Sequence, residues 1–210
     1  MSTKAKILDK GLEMFNERGI EYVGLRELAA ALNIRVGNIT YYFPTKDDLV
    51  YQLSLQLSQL NTDTIIVTDN LTLKSFLEML NKVFLNHLKY RCLFLSFVHL
   101  MQQNKLLSAS YKKTQAVRNA TLKSNIEVLA GSGYLSVKDD GEKDFLVSAL
   151  ALINRFWISE AAISFRNLSE GAQLNHYLSI IAKLLLPYST ATGKKDIQNF
   201  LKNLGGTGAV

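Results

Sequence analysis

Two prolines, Pro44 and Pro187, occur in 210 residues, and this scarcity constrains the fold more than any other feature. Proline removes a main-chain donor and clashes with the preceding helical turn, so long stretches of Leu, Ala, Lys, Asn and Ser without it leave helix propagation unopposed. Strand-type alternation is scarce, and apolar residues recur at three- and four-residue intervals instead. With 48% apolar residues the chain can fill a real core. The expectation is an all-α protein, either one ordinary domain or a small domain attached to a larger one.

Ile7, Leu8, Leu12 and Phe15 predict a first helix over Thr3 to Arg18, stopped at Gly19. Gly24 opens a short second helix, "LRELAAAL", and Asn33 follows as a left-handed turn residue. A third helix covers Val36 to Phe43 and breaks at Pro44. Thr45 then caps a fourth helix from Lys46, with Asp47 and Asp48 suited to its first turn. Its stripe of Leu49, Leu53, Leu57 and Leu60 leads into a linker near residues 61 to 71. Further helices are predicted at about 72 to 90, 92 to 104, 106 to 130, 143 to 167, 170 to 187 and 194 to 204. "KDDGEKD" reads as a loop, and "GGTGAV" as a frayed tail.

The formal charge of +6 suggests an anionic partner, but its distribution points the wrong way. Residues 1 to 50 carry seven Lys or Arg against seven Asp or Glu, so the excess, 17 basic against 11 acidic, lies in residues 51 to 210. The local pattern is more telling. Between Glu27 and Asp47 there is no acid, while Arg26, Arg35 and Lys46 punctuate the stretch.

The second and third helices, joined by "NI" or "NIR", have the lengths a helix-turn-helix needs. At 100° per residue, Ile39 and Phe43 share one face with Val36 close to it, suited to packing on Leu28 and Leu32. The opposite arc carries Gly37, Asn38, Thr40 and Tyr41, with Tyr42 at its border. Hydroxyls, an amide and helix-start N–H groups suit phosphate oxygens and base edges.

The stretch from Ile7 to Leu53, with "FNERGIEYVGLRELAAALNI" followed by "GNITYYFPTKDDL", resembles the DNA-binding domain of tetracycline-repressor-type (TetR family) regulators. The aromatic-rich helix, Phe, short break, Lys, acid and Leu of "YYFPTKDDL" carry that resemblance. Four positions depart from the family pattern. Gly24 stands where a Ser or Thr commonly caps the second helix, Asn33 replaces the turn glycine, Arg35 a small residue, and Thr40 the first tyrosine of the recognition helix. The resemblance assigns Arg26, Val36, Gly37, Asn38, Thr40, Tyr41, Tyr42 and Lys46 to the DNA face, with Arg35 as a candidate base reader. It implies a helix-turn-helix domain over residues 1–50, joined by the fourth helix to a helical effector-binding and dimerisation domain over residues 51–210.

It further implies a homodimer formed by the last two long helices, with Phe145, Ala149, Leu152, Leu178, Ile181 and Leu185 as interface candidates. A small-molecule effector pocket among the middle helices would draw on Phe94, Phe97, His99, Met101, Tyr111, Asn154, Phe156 and Trp157. The function implied is a ligand-responsive repressor of a palindromic double-stranded DNA operator. The alternative is a helical ligand-binding or carrier protein with a vestigial helix-turn-helix.

Other chemistry finds little support. No nucleophile, base and orienter motif marks an enzyme, and neither a cofactor nor a metal is expected. "KDDGEKD" lacks EF-hand spacing, and "GGTG" precedes no helix. His87, His99 and His176 are isolated, with His99 on the apolar run "CLFLSFVHLM". Cys92, in that run, reads as a small buried hydrophobe. Eight basic residues without an acid from Glu78 to Glu127 read as a solvated face. The apolar run is about half the ~20 residues that span a bilayer, and "MSTKAKILDKGLEMF" lacks the apolar segment of a signal peptide. A cytoplasmic protein with no membrane partner is expected.

Overall fold

In the computed structural model, residues 2–65, 68 and 70–206 are described. Among them the secondary structure is helical: α1 Thr3–Arg18, α2 Leu25–Ala31, α3 Val36–Tyr42, α4 Lys46–Thr64, α5 Leu73–Lys89, α6 Arg91–Leu95, α7 Phe97–Gln103, α8 Lys105–Gly131, α9 Asp140–Ser164, α10 Glu170–Leu185 and α11 Ala191–Gly206. One isolated antiparallel bridge joins Leu135 and Ser189. Residues 207–210 of the predicted frayed tail lie outside the described residues, while Gly205 and Gly206 continue α11.

The chain forms two compact units. The first comprises Met1–Asp63 with Lys89–Lys112. Its core gathers Ile7, Phe15, Leu28, Ile39, Phe43, Leu49, Leu53 and Leu57 with Tyr90, Cys92, Leu93, Leu100 and Leu107. This cluster reaches past residue 50 because the apolar stripe of α4 continues and because α6 and α7 return to the N-terminal helices.

Asn16 makes that return specific. Its Nδ2 donates to the Lys89 carbonyl at 2.9 Å, its Oδ1 accepts from the Cys92 N–H at 3.0 Å, and its own carbonyl accepts from Arg91 Nε and Nη2 at 3.2 and 3.0 Å. Buried Asn104 caps the start of α8 through the Leu107 N–H at 2.9 Å and donates to the Asp47 carbonyl at 3.0 Å. Burial pushes the Cys92 thiol up to about 12, in keeping with a small core hydrophobe.

The second unit comprises Thr64–Leu88 with Lys113–Val210. Phe76, Leu77, Phe84, Ile126, Leu146, Leu150, Trp157, Leu178, Ile181, Leu185 and Ile197 are buried there. Main-chain bonds clasp its loops, with Ser136 N–H donating to the Tyr188 carbonyl at 2.7 Å and Thr190 N–H to the Tyr134 carbonyl at 3.1 Å. Gly193 is needed for that clasp, since a Cβ there would stand 2.2 Å from the Tyr134 carbonyl oxygen.

Several helix boundaries differ from the sequence reading for local reasons. The helix expected at 92 to 104 divides at Ser96, whose φ and ψ of −96° and 12° leave the α basin. "KDDGEKD" is not a plain loop: Asp139 Oδ1 accepts from the Glu142 N–H at 2.9 Å while Glu142 Oε2 accepts from the Lys138 N–H at 2.7 Å, and this cap starts α9 at Asp140. α11 starts at Ala191 because the Thr190 hydroxyl accepts from the Gly193 N–H. α4 continues into the expected linker as far as Thr64.

Candidate nucleic-acid interface

The first three helices are set by their ends. The Ser2 hydroxyl caps α1, accepting from the Ala5 N–H at 3.3 Å, and Gly19 ends the helix at φ 93°, a conformation that favours glycine. Asn33 ends α2 at φ 53°, so the amide fills the left-handed turn as the sequence suggested. At the start of α4 the capping is reciprocal: Thr45 N–H donates to Asp48 Oδ2 at 2.9 Å, and Asp48 N–H donates to Thr45 Oγ1 at 3.2 Å.

These ends fix the rotation of α3. Ile39 is fully buried and Phe43 nearly so, while Tyr41 is 81% exposed. Arg26, Arg35, Gly37, Asn38 and Thr40 are exposed as well. Val36 and Tyr42 sit at the border, each 39% exposed. Tyr41 and Tyr42 meet edge to face with ring centroids 5.0 Å apart, which holds both hydroxyl-bearing rings in defined positions. Nothing lies within 4 Å of a Cβ built on Gly37. The protein's own packing therefore leaves room for a side chain there.

The electrostatics favour an anion. Glu27 is engaged by Arg18, and the Asp48 carboxylate is occupied by the Thr45 cap. No side chain caps α2 or α3, whose N-cap residues are Gly24 and Arg35, so helix-start N–H groups remain available to phosphate oxygens.

Lys46 differs from the other predicted DNA-face residues. It is half-buried, and its ammonium donates to the main-chain carbonyls of Ile20 at 2.9 Å and Glu21 at 3.4 Å, holding the α1–α2 turn. Sequence reasoning missed two neighbours. The Lys4 ammonium lies 5.8 Å from the Phe43 ring centroid, and Tyr22, in the α1–α2 turn, is 75% exposed. Neither has a spacing signal, because the turn and the fold of α1 bring them there.

The remaining predicted residues separate by unit. Phe94, Phe97, Met101 and Tyr111 are half-buried in the first unit and His99 is exposed; Phe97 and Tyr111 meet edge to face at 5.0 Å. His99 is thus no core histidine. His87 takes that role: its Nδ1 accepts from Trp157 Nε1 at 3.2 Å, and burial, reinforced by Arg118, lowers its pKa to about 3. Trp157 is buried and stacks on Phe84 at 4.7 Å and 4°. Asn154 and Phe156 are half-buried in the same unit.

Of the interface candidates, Phe145 and Leu152 are 51% and 58% exposed, and Ala149 is half-buried. Leu178, Ile181 and Leu185 must be reassigned. They are 0% exposed within one chain, because the apolar face of α10 packs inward against its own unit. Ile163 and Ile180, 75% and 37% exposed, were not among those candidates. Ile163 continues the Phe145, Ala149, Leu152 stripe of α9 at helical spacing.

Comparison with known proteins agrees with this geometry. The family described as "Bacterial regulatory proteins, tetR family" matches residues 7–53, and the TetR family described as "Bacterial transcriptional repressor" matches residues 55–197. The probable HTH-type transcriptional regulator YttP of Bacillus subtilis (strain 168) is 28% identical over 92 residues, covering 43% of this chain and 44% of that protein. The match therefore spans less than half the length of that relative. A TetR-family transcriptional regulator from Marinobacter aquaeolei VT8 shares the fold with a TM-score of 0.89 at 20% identity, over 97% of this chain and 99% of that one. A protein from Saccharomonospora viridis assigned to transcriptional regulation, solved in complex with choline, aligns with a TM-score of 0.66 at 18% identity, over 85% of this chain and 94% of that one. Because one of these families spans well over half of the sequence and the other takes in the helix-turn-helix, the chain belongs to the TetR family of bacterial transcriptional repressors.

Proposed function

We propose that the protein is a homodimeric, small-molecule-responsive repressor that binds a palindromic operator. The observation that carries the reading is the division of α3: Ile39 and Phe43 are locked in the core, while Gly37, Asn38, Thr40 and Tyr41 face solvent in a stretch that carries no acid from Leu28 to Lys46. In this reading Arg26, Arg35, Val36 and Tyr42 complete the DNA face and Lys46 holds its scaffold. Residues 1–50 supply the DNA-binding function, and residues 51–210 supply effector binding and dimerisation. The site of action is the cytoplasm.

The dimer reading rests on α9. The helix is long and apolar, yet Phe145, Leu152 and Ile163 are 51%, 58% and 75% exposed within one chain. A second copy would cover Phe145, Leu152 and Ile163 with an identical stripe, as a two-fold interface requires. Two α3 helices could then address half-sites about one DNA turn apart, roughly 34 to 36 Å. An effector acts by binding the DNA-incompetent conformer more tightly and shifting the population.

Unbiased selection of duplex DNA by the purified protein, followed by footprinting, tests the reading. A palindromic site bound with strong salt dependence is the expected result. Failure to enrich any site, together with tight ligand binding, would instead favour a carrier with a vestigial helix-turn-helix.

A further inference from the structure

The residues placed on the DNA face lie between Arg26 and Tyr42, but one cation beside them comes from α1. Ile7, Leu8, Gly11 and Phe15 belong to the buried face of that helix, and Lys4 continues the same stripe one turn earlier. A lysine at the end of a core-facing stripe lays its methylenes on apolar surface and carries its ammonium outward. The surface here is the Phe43 ring, whose centroid lies 5.8 Å from the Lys4 ammonium, and Lys4 is exposed. Phe43 ends α3. Its ring stands 6.5 Å from that of Tyr42, which meets Tyr41 at 5.0 Å. The α1 cation thus sits at the inner end of the aromatic run that leads out to the exposed edge of the recognition helix.

No other charge nearby in sequence fills that role. The last turn of α3 has no basic residue of its own, and the next cation along the chain, Lys46, is engaged by the Ile20 and Glu21 carbonyls. Among the described residues Lys4 forms no ion pair. We propose that Lys4 contacts a DNA phosphate flanking the bases addressed by α3. An ammonium is a point charge without the planar fork that reads a base edge, so the backbone suits it. Recognition helices read base edges mainly from their N-terminal residues, and Lys4 stands at the opposite end of α3.

The competing role is structural. A cation over a ring, at a helix C-terminus, stabilises the fold with no DNA present. Salt dependence separates the two, because only a phosphate contact releases a condensed counterion when DNA binds. The chain also carries a matched control. Lys6 is two positions on and about 200° around α1 from Lys4, and it is likewise exposed. Net charge is the same for either substitution, so a difference between them is a matter of position.

The inference rests on the DNA-binding reading, and two duplexes keep the two apart: the operator recovered by selection and a mixed-sequence duplex of the same length. Affinity of the full chain for each is measured across a salt series. Lys4→Met keeps the stem over Phe43 and removes only the charge. It should weaken both duplexes by the same factor, about three- to tenfold at 0.1 M salt, and reduce the slope of log affinity against log salt by about one. Lys4→Arg should keep the wild-type slope, and so should Lys6→Met. The melting temperature of Lys4→Met should stay within a few degrees of wild type; should that variant fail to fold, Lys4→Gln decides.

An unchanged slope in Lys4→Met would overturn the proposal, and a lowered melting temperature beside that unchanged slope would assign Lys4 to the fold alone. An equal loss of slope in Lys6→Met would overturn it too, because the effect would then be one of net charge. Weakening of the operator without weakening of the mixed-sequence duplex would make Lys4 a base reader and overturn the phosphate assignment. Failure to select any operator, with the slope on the mixed-sequence duplex still reduced in Lys4→Met, would overturn the operator-binding reading and support the phosphate contact.

Discussion

Lys46 at the start of α4 donates its ammonium to the main-chain carbonyl of Ile20, 2.9 Å away, and so ties the helix after the recognition helix to the turn before α2. A positive charge that the family pattern assigns to DNA is already committed to the scaffold. Lys46→Met should lower stability by about 1.5 to 3 kcal/mol, the range for hydrogen bonds to charged groups. It should also weaken operator binding while leaving the slope of log affinity against log salt unchanged. Loss of a phosphate contact would reduce that slope by about one. Thermal denaturation and salt titration of the same variant separate the two roles.

Tyr41 and Ile39 stand two positions apart with opposite exposures, 81% and 0%, and substitution should divide along that line. Tyr41→Ala and Asn38→Ala should change folding stability by less than about 0.5 kcal/mol and cost about 1 to 3 kcal/mol of operator affinity. Ile39→Ala should cost about 2 to 5 kcal/mol of stability. Denaturant titration paired with gel shift gives both readings.

His87 makes folding sensitive to acid. Its folded pKa of about 3 lies below the unfolded value of 6.5, so the contribution is complete above pH 6.5 and is lost as pH falls toward 3. Between pH 7 and pH 5 the loss is about 2 kcal/mol. His87→Gln keeps an acceptor for the Trp157 N–H but does not titrate. Its unfolding free energy should therefore be flatter over that interval, as urea denaturation at the two pH values would show.

Leu152 and Leu178 should respond to substitution in different ways. Leu152→Arg, on the exposed stripe of α9, should give a folded protein that sediments as a monomer and binds the operator weakly. Leu178→Ala, in the core of one chain, should lose about 2 to 5 kcal/mol of folding stability without selective dissociation. Analytical ultracentrifugation with melting curves distinguishes them.

The recognition helix was legible because it is short, amphipathic and bounded by Asn33 and Pro44, so that 100° steps alone place Ile39 opposite Tyr41. The second unit was less legible. In α9 and α10 apolar residues occupy most of the circumference, so periodicity could not tell the core leucine Leu178 from the exposed Leu152. His99 and His87 could not be told apart in sequence for a related reason: an apolar neighbourhood in sequence does not say which face of a helix a histidine occupies. Capping contributed the rest. The Asp139–Glu142 bonds turned an expected loop into the first turn of α9.

The sequence by itself determined the helical class, the helix-turn-helix and the acid-free face of α3, because these follow from proline placement, local periodicity and charges close along the chain. Tertiary structure alone decided which tyrosine edge faces outward, that Lys46 is spent on the Ile20 carbonyl, that Asn16 fastens α1 to Arg91 and Cys92, and that the His87 ring accepts from the Trp157 indole. Each of these joins groups distant in sequence or depends on how a helix is rotated against its neighbours, and packing sets both.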